Sequence, residues 1–337
     1  MTSRRARFLS AVGINLAAAI VAVLAFDVWR RNQPTSDAGT HLEGSINESS
    51  IEPADDLGYI LRPGRRLTAR LMAGQEILYD VVYTIGPDGF RVTPPLSGSP
   101  GSCVVLFGDS NTFGIGVNDD ETHTAHLVRL GEGRIAAYNF GVAGYGPHQM
   151  LAGLQSGRFE RILSCTPTHT VYFFIPHQIS RVAGRVKWDT HGPRYRLDAA
   201  GRAVADGNFD SPGFTAPTSD LDEGVLGWRR LFGVRVTGTP EETDLTAAVL
   251  VESAREMRRI APATTFHVLF WDIYNDARLD AIERSLKAAG ITVHPLDAII
   301  PGYRVRAADY ILRDRHPNPR AHRRIADYIA LAILGPG

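Results

Sequence analysis

Val104-Val105-Leu106-Phe107-Gly108-Asp109-Ser110-Asn111-Thr112-Phe113-Gly114 decides how this chain folds. An apolar run of strand type meets Gly108, and the chain turns through Gly108-Asp109-Ser110. Open α/β sheets gather their ligands at the carboxyl ends of strands. The pattern therefore sets the Ser110 hydroxyl at such an end. Far downstream, Asp314-Arg315-His316-Pro317-Asn318 precedes the last helical stretch. An activated nucleophile needs a hydroxyl, a base and a group that orients the base. These two stretches contain all three.

Outward from Ser110 the pattern alternates. Cys103 to Phe107 predicts a strand, Glu121 to Leu130 a helix, and Arg134 to Phe140 a second strand. Pro147 to Leu163 predicts one helix, with proline in its permitted early position. Thr170 to Ile175, Thr265 to Trp271 and Ile291 to Leu296 predict three further strands. Thr246 to Ile260, Asp276 to Ala289 (closed by Gly290) and Pro319 to Leu334 predict helices. Such alternation implies an α/β fold: a parallel sheet with helices on both faces. One stretch, about 180–243, breaks the rhythm as an insertion. Within it, Arg194 to Arg202 reads as a hairpin, and the whole reads as a lid, a substrate wall or a remote surface elaboration.

Ahead of this domain (101–337), residues 57–100 hold short β-like pieces, Gly58 to Leu61 and Leu78 to Ile85, before the turn at Pro87-Asp88-Gly89. Residues 32–56 are polar and read as a flexible linker. Residues 1–31 carry a membrane signal. Phe8 to Phe26 is apolar and uncharged, and Arg4, Arg5 and Arg7 precede it. Its length suits one bilayer crossing, and the charge bias places the remainder of the chain outside the cytoplasm. A cleaved signal peptide is the rival, since Val23-Leu24-Ala25 resembles a cleavage site. An anchor implies a single-pass bacterial inner-membrane protein with a periplasmic or extracellular domain. Cleavage implies secretion.

Lys+Arg and Asp+Glu balance at 36 each in 337 residues, so global charge gives no reason to expect nucleic acid as a partner. At 44% hydrophobic and 21% charged, the composition is that of a folded chain. Cys103 and Cys165 are too few for a disulfide framework or a four-thiolate metal site. Two free, at least half-buried thiols are the expectation. A Cys103–Cys165 bridge is the alternative an exported domain would favour.

Three blocks carry a family resemblance: Gly108 to Gly114, Tyr138-Asn139-Phe140-Gly141-Val142-Ala143-Gly144-Tyr145-Gly146, and Asp314 to Asn318. With them the chain resembles the SGNH hydrolases, or GDSL esterase/lipase superfamily, from about Gly58 onward except for much of the insertion. The resemblance implies a flavodoxin-like three-layer α/β/α sandwich with a parallel five-stranded sheet. It implies Ser110 as nucleophile, His316 as base and Asp314 as its orienting acid. It also implies an oxyanion hole from the Ser110 and Gly144 backbone N–H groups and an asparagine side chain. Gly108, Asp109 and Asn111 would shape the nucleophile turn. No cofactor is implied.

Two departures stand out. Where the family has Gly-x-Asn-Asp, this chain has Ile175-Pro176-His177-Gln178, so the oxyanion asparagine is missing. His177 or Gln178 has the chemistry to replace it. The acid commonly lies three residues before the histidine, where Arg313 stands; Asp314 is two before.

His123 and His126, spaced i, i+3, lack a third ligand nearby in sequence, and no metal is expected. Trp188, Tyr195, Trp228 and Phe232 form either a sugar-stacking wall or ordinary packing. The expectation is an exported serine esterase acting on an acyl ester, O-acetyl foremost, of an envelope carbohydrate. A carbohydrate O-acetyltransferase using the same serine is the close alternative. A non-catalytic glycan-binding or scaffold domain is the distant one. Acylated small molecules or polysaccharides are the expected partners, and the sequence names no protein partner.

Overall fold

The computed structural model describes residues 39–95, 100–215, 239–273, 278–303 and 306–335. The chain separates into two units, Met1–His41 and Leu42–Gly337. Only residues 39–41 of the first are described. The segment Phe8 to Phe26 therefore lies outside the described residues, among which no helix is long and apolar enough to cross a membrane.

Among the described residues, five strands precede the main sheet: β1 (Thr40–Gly44), β2 (Ile51–Ala54), β3 (Gly58–Leu61), β4 (Arg66–Ala73) and β5 (Glu76–Thr84). This corrects the linker reading for residues 39–56; residues 32–38 lie outside the described residues. Polar as it is, the stretch forms β2, whose backbone pairs antiparallel with buried β3. Sheet pairing, not side-chain apolarity, orders it. β4 escaped the sequence reading although it alternates buried and exposed residues along its length. It pairs antiparallel with β5.

The main sheet holds β6 (Ser102–Phe107), β7 (Ile135–Asn139), β8 (His169–Phe174), β11 (Thr265–Phe270) and β12 (Thr292–Pro295) in the order β12-β11-β8-β6-β7. Every neighbouring pair is parallel. Because side chains alternate along a strand, each strand feeds two cores. Val105, Phe107, Tyr172, Phe174 and Val268 join Val249 and Leu250 of the helix Pro240–Ile260. Val104, Leu106, Val171, Phe173 and Leu269 join Leu127 of the helix His123–Leu130 and Ile325 of the helix Pro319–Tyr328. Two separate cores across one sheet make the three-layer α/β sandwich.

Several boundaries differ from the sequence reading. The span 147–163 is two helices, Pro147–Gln155 and Arg158–Ile162. Gly157 between them has φ +69°, which ends one helix and starts another. The helix expected from Thr246 begins at Pro240, where Thr239 and Glu242 form a reciprocal capping box. In the described part of the insertion, the hairpin forms from β9 (Pro193–Leu197) and β10 (Ala203–Asn208).

The cysteines are not free. Cys103 and Cys165 form a disulfide, Cα to Cα 6.1 Å. Cys103 lies in β6 and Cys165 in the loop entering β8, its parallel neighbour. Thr168 N–H donates to the Cys103 carbonyl at 2.8 Å, which locks the two strand entries side by side.

Candidate active site

The chain leaves β6 through Gly108, whose φ is +153°. A Cβ there would lie 2.3 Å from Thr112 Oγ1 and 3.0 Å from Phe173 Cβ, so no larger residue fits this turn. Asp109 then caps the short helix Ser110–Phe113, its Oδ1 accepting from Asn111 N–H and Asn111 Nδ2, both at 3.0 Å. Its Oδ2 accepts from Arg181 Nη1 at 2.8 Å. Burial pushes the Asp109 carboxyl up, but the Arg181 charge and the Asn111 bonds outweigh this and hold it below the usual carboxylate range. Asp109 is thus a fully buried anion that fixes the turn beneath Ser110.

Two turns of the chain meet at the Ser110 hydroxyl. His316 Nε2 lies 2.8 Å from Ser110 Oγ. The other ring nitrogen of His316 bonds Asp314 Oδ1, which also accepts from His316 N–H at 3.0 Å. Burial pushes the Asp314 carboxyl up, and the bonds and charge of His316 more than reverse it, leaving the pKa lowered. One backbone hydrogen bond from Ile311 N–H to the His316 carbonyl (2.9 Å) and another from Arg315 N–H to the Ile311 carbonyl (2.8 Å) tighten this loop. Arg313 and Arg315 adopt φ of +67° and +73°. Such strain persists where the surroundings over-determine it. Part of those surroundings is β5: a Cβ on Gly116 would meet Ile311 Cδ1 at 2.2 Å and Tyr79 Cδ1 of β5 at 3.0 Å.

A cavity of about 320 Å³ opens over this dyad, lined by Ser110, His177, Arg181, Trp271, Arg315 and His316 among others. A larger hollow of about 400 Å³ lies between the helices His123–Leu130 and Pro319–Tyr328 but holds no nucleophile. The structure thus brings Ser110, Asp314, His316 and His177 to one cavity. Gly144 does not line it. Gly144 has φ +89°, and a Cβ would meet Tyr59 Oη at 2.6 Å and Trp188 Nε1 at 2.8 Å. Its loop is held by the Tyr59 hydroxyl, which donates to the Ala143 carbonyl at 2.8 Å, and by Arg181 Nη1, which donates to the Tyr145 carbonyl at 2.6 Å.

Gln178 is not available as an oxyanion donor. Its Oε1 accepts from the Tyr172 hydroxyl at 2.9 Å and its Nε2 donates to the Phe173 carbonyl at 3.2 Å. His177 is exposed at the cavity wall, just before the helix Gln178–Val182. Arg181 is the residue sequence reading missed. Its only signal was its place one turn into the helix that follows the third strand.

The remaining candidates scatter. His123 and His126 point apart: His123 Nδ1 meets His322 Nδ1 at 2.9 Å in the core, and His126 Nδ1 meets Arg129 at 2.8 Å. Among the described residues no cluster of three metal-ligating side chains occurs. Tyr195 is buried and donates to Gln155 Oε1, which makes it packing rather than wall. Trp188 is 58% exposed, its Nε1 donating to the Gly144 carbonyl at 3.4 Å. Trp228 and Phe232 lie outside the described residues.

No family model and no curated protein matches this chain. Solved structures show a faint likeness. LAE5, an α/β hydrolase enzyme from the metagenome of Lake Arreo, is 17% identical at TM-score 0.40, over 70% of this chain and 97% of its own. A member of the lipolytic protein G-D-S-L family from Veillonella parvula is 11% identical at TM-score 0.39, over 69% and 98%. A carbohydrate esterase family 2 enzyme with a carbohydrate-binding domain, from Corynascus thermopiles, is 13% identical at TM-score 0.40, over 87% and 85%. Likeness of this size leaves any family assignment to the motifs and the site geometry.

Proposed function

We propose that the chain is a serine esterase of the SGNH type, exported and acting on acyl esters of an envelope carbohydrate. The observation that carries the reading is His316 Nε2 at 2.8 Å from Ser110 Oγ, with Asp314 on the far side of the ring. A serine hydroxyl is a weak nucleophile until an adjacent base takes its proton. Here Ser110 Oγ attacks the ester carbonyl while His316 accepts the proton and Asp314 steadies the imidazolium. The tetrahedral intermediate expels the alcohol, which takes the proton back from His316 Nε2. Water then repeats the sequence on the acyl-enzyme and releases the acid. The oxyanion faces the Ser110 N–H, with His177 replacing the family asparagine and Gly144 assigned by the resemblance alone.

An open cavity and a seated His316 favour catalysis over a degenerate binding domain. Export is supported by the Cys103–Cys165 disulfide, a bond that persists in oxidising compartments, and by the arginine-flanked apolar segment Phe8 to Phe26. The O-acetyl carbohydrate substrate rests on family analogy and compartment. Treating the full-length protein with a fluorophosphonate probe tests the reading without knowledge of the substrate. Labelling at Ser110, lost in Ser110→Ala and His316→Ala, is expected. A folded protein that takes no label at Ser110 overturns it.

A further inference from the structure

The wall of the Ser110 cavity carries two arginines in different electrostatic states. Arg181 is ion-paired with buried Asp109 at 2.8 Å, so its charge is spent inside the protein. Arg315 has no carboxylate within ion-pair distance among the described residues. Its guanidinium carbon rests 4.6 Å from the centre of the Tyr310 ring. That contact positions a cation without neutralising it. Its backbone is fixed as well, through Arg315 N–H to the Ile311 carbonyl and the Tyr303 hydroxyl to the Arg315 carbonyl at 3.4 Å. Neighbouring Asp314 is engaged by His316 instead: burial pushes its carboxyl up, and the bonds and charge of His316 outweigh this and lower its pKa.

We propose that Arg315 is a specificity residue that selects an anionic carbohydrate ester, pairing with a carboxylate or other oxyanion substituent of the glycan beside the acyl group. The inference rests on the esterase reading and names its substrate class. The planar guanidinium fork matches an oxyanion in two parallel hydrogen bonds. Next to His316 in sequence, it holds the charged substituent at the rim while the ester carbonyl reaches Ser110. A neutral glycan leaves the cation unanswered and gains nothing from it.

The test is competition, which needs no knowledge of the acylated position. Hydrolysis of neutral para-nitrophenyl acetate by the full-length protein is inhibited with oligogalacturonate, with its carboxyl-reduced neutral counterpart, and with a sulfated form of that counterpart. The expected inhibition constant is roughly ten-fold or more lower for the anionic oligomers than for the neutral one. The stronger of the two anionic competitors tells carboxylate from sulfate. Arg315→Gln is expected to collapse the anionic-to-neutral ratio toward one, and Arg315→Lys to retain part of it; thermal melting checks that both variants fold. Equal inhibition by charged and neutral oligomers, or a ratio that survives Arg315→Gln, overturns the assignment. Fluorophosphonate labelling of the wild type separates the two levels: a labelled Ser110 without anionic preference removes only the Arg315 proposal. An unlabelled Ser110 without ester hydrolysis removes the esterase reading and this inference with it.

Discussion

His316 and His322 lie six residues apart yet inhabit opposite environments. His316 is partly open, between the Asp314 carboxylate and the Ser110 hydroxyl. His322 is fully buried against His123, the rings 5.0 Å apart and nearly parallel. In each ring of that buried pair Nε2 has no hydrogen-bond partner among the described residues. Burial, with the charge of nearby basic groups added, pushes His123 down to about 3 and His322 well below its ordinary value. One histidine is placed to exchange a proton; the other pair is kept neutral. The contrast shows that a histidine's chemistry is set by what faces each ring nitrogen.

Four expected outcomes would sharpen or break this contrast. The largest is at His316. His316→Ala should lower kcat on an activated ester by about four orders of magnitude and leave the melting temperature little changed. A small kinetic loss would dissolve the contrast. Asp314→Asn comes next, at about three orders of magnitude, because the ring loses the partner that sets its tautomer. If turnover survived, another group must orient His316.

His322→Ala should do the reverse. Removing a buried ring leaves a cavity and strips His123 of its partner, for a loss of about 3 kcal/mol in denaturant unfolding at pH 7. Turnover of the folded fraction should stay within a few-fold. A collapse of kcat in folded protein would mean that the pair serves the site directly.

The smallest effect is a pH dependence. A buried histidine whose folded pKa is lowered binds fewer protons folded than unfolded. Its contribution to stability is complete above the unfolded value of about 6.5 and is lost as pH falls from there toward the folded value. For His123 that window runs from 6.5 down to about 3. His322 shifts in the same direction. Asp314 and Asp109, with lowered pKa values, lose their contribution only at lower pH, below about 4. Between pH 6.5 and 5, keeping His123 neutral should cost about 1–2 kcal/mol. His322 shifts the same way, so the penalty of His322→Ala should shrink from pH 7 to pH 5. A penalty independent of pH would show that the pair is not held neutral.

How much of this could be read in the sequence differs by element. The strand ending at Phe107, the turn at Gly108 and the alternation of strands and helices were legible because period and turn chemistry are local. The residues of the Ser110–His316–Asp314 contact were legible from motif order, but not the contact itself. β4 carried a readable alternation and was still passed over. β2 carried none, since its order comes from pairing with β3. The break at Gly157 was not marked in the sequence: the run also holds Gly153, which stays within the helix, and only the positive φ of Gly157 tells the two apart. The disulfide needed the parallel pairing of β6 with β8 to bring the two strand entries together.

The sequence by itself determined which residues could do chemistry: a serine after a buried strand, an aspartate and histidine before the last helix, and a histidine where the resemblance would call for an asparagine. The tertiary structure decided which of them meet and how they are charged. It paired Arg181 with Asp109, engaged Gln178 at both ends, left Arg315 without a carboxylate partner among the described residues, and buried His123 with His322. Side-chain types and periodicity are written locally along the chain. Electrostatic partners and burial arise only when distant segments are folded into contact.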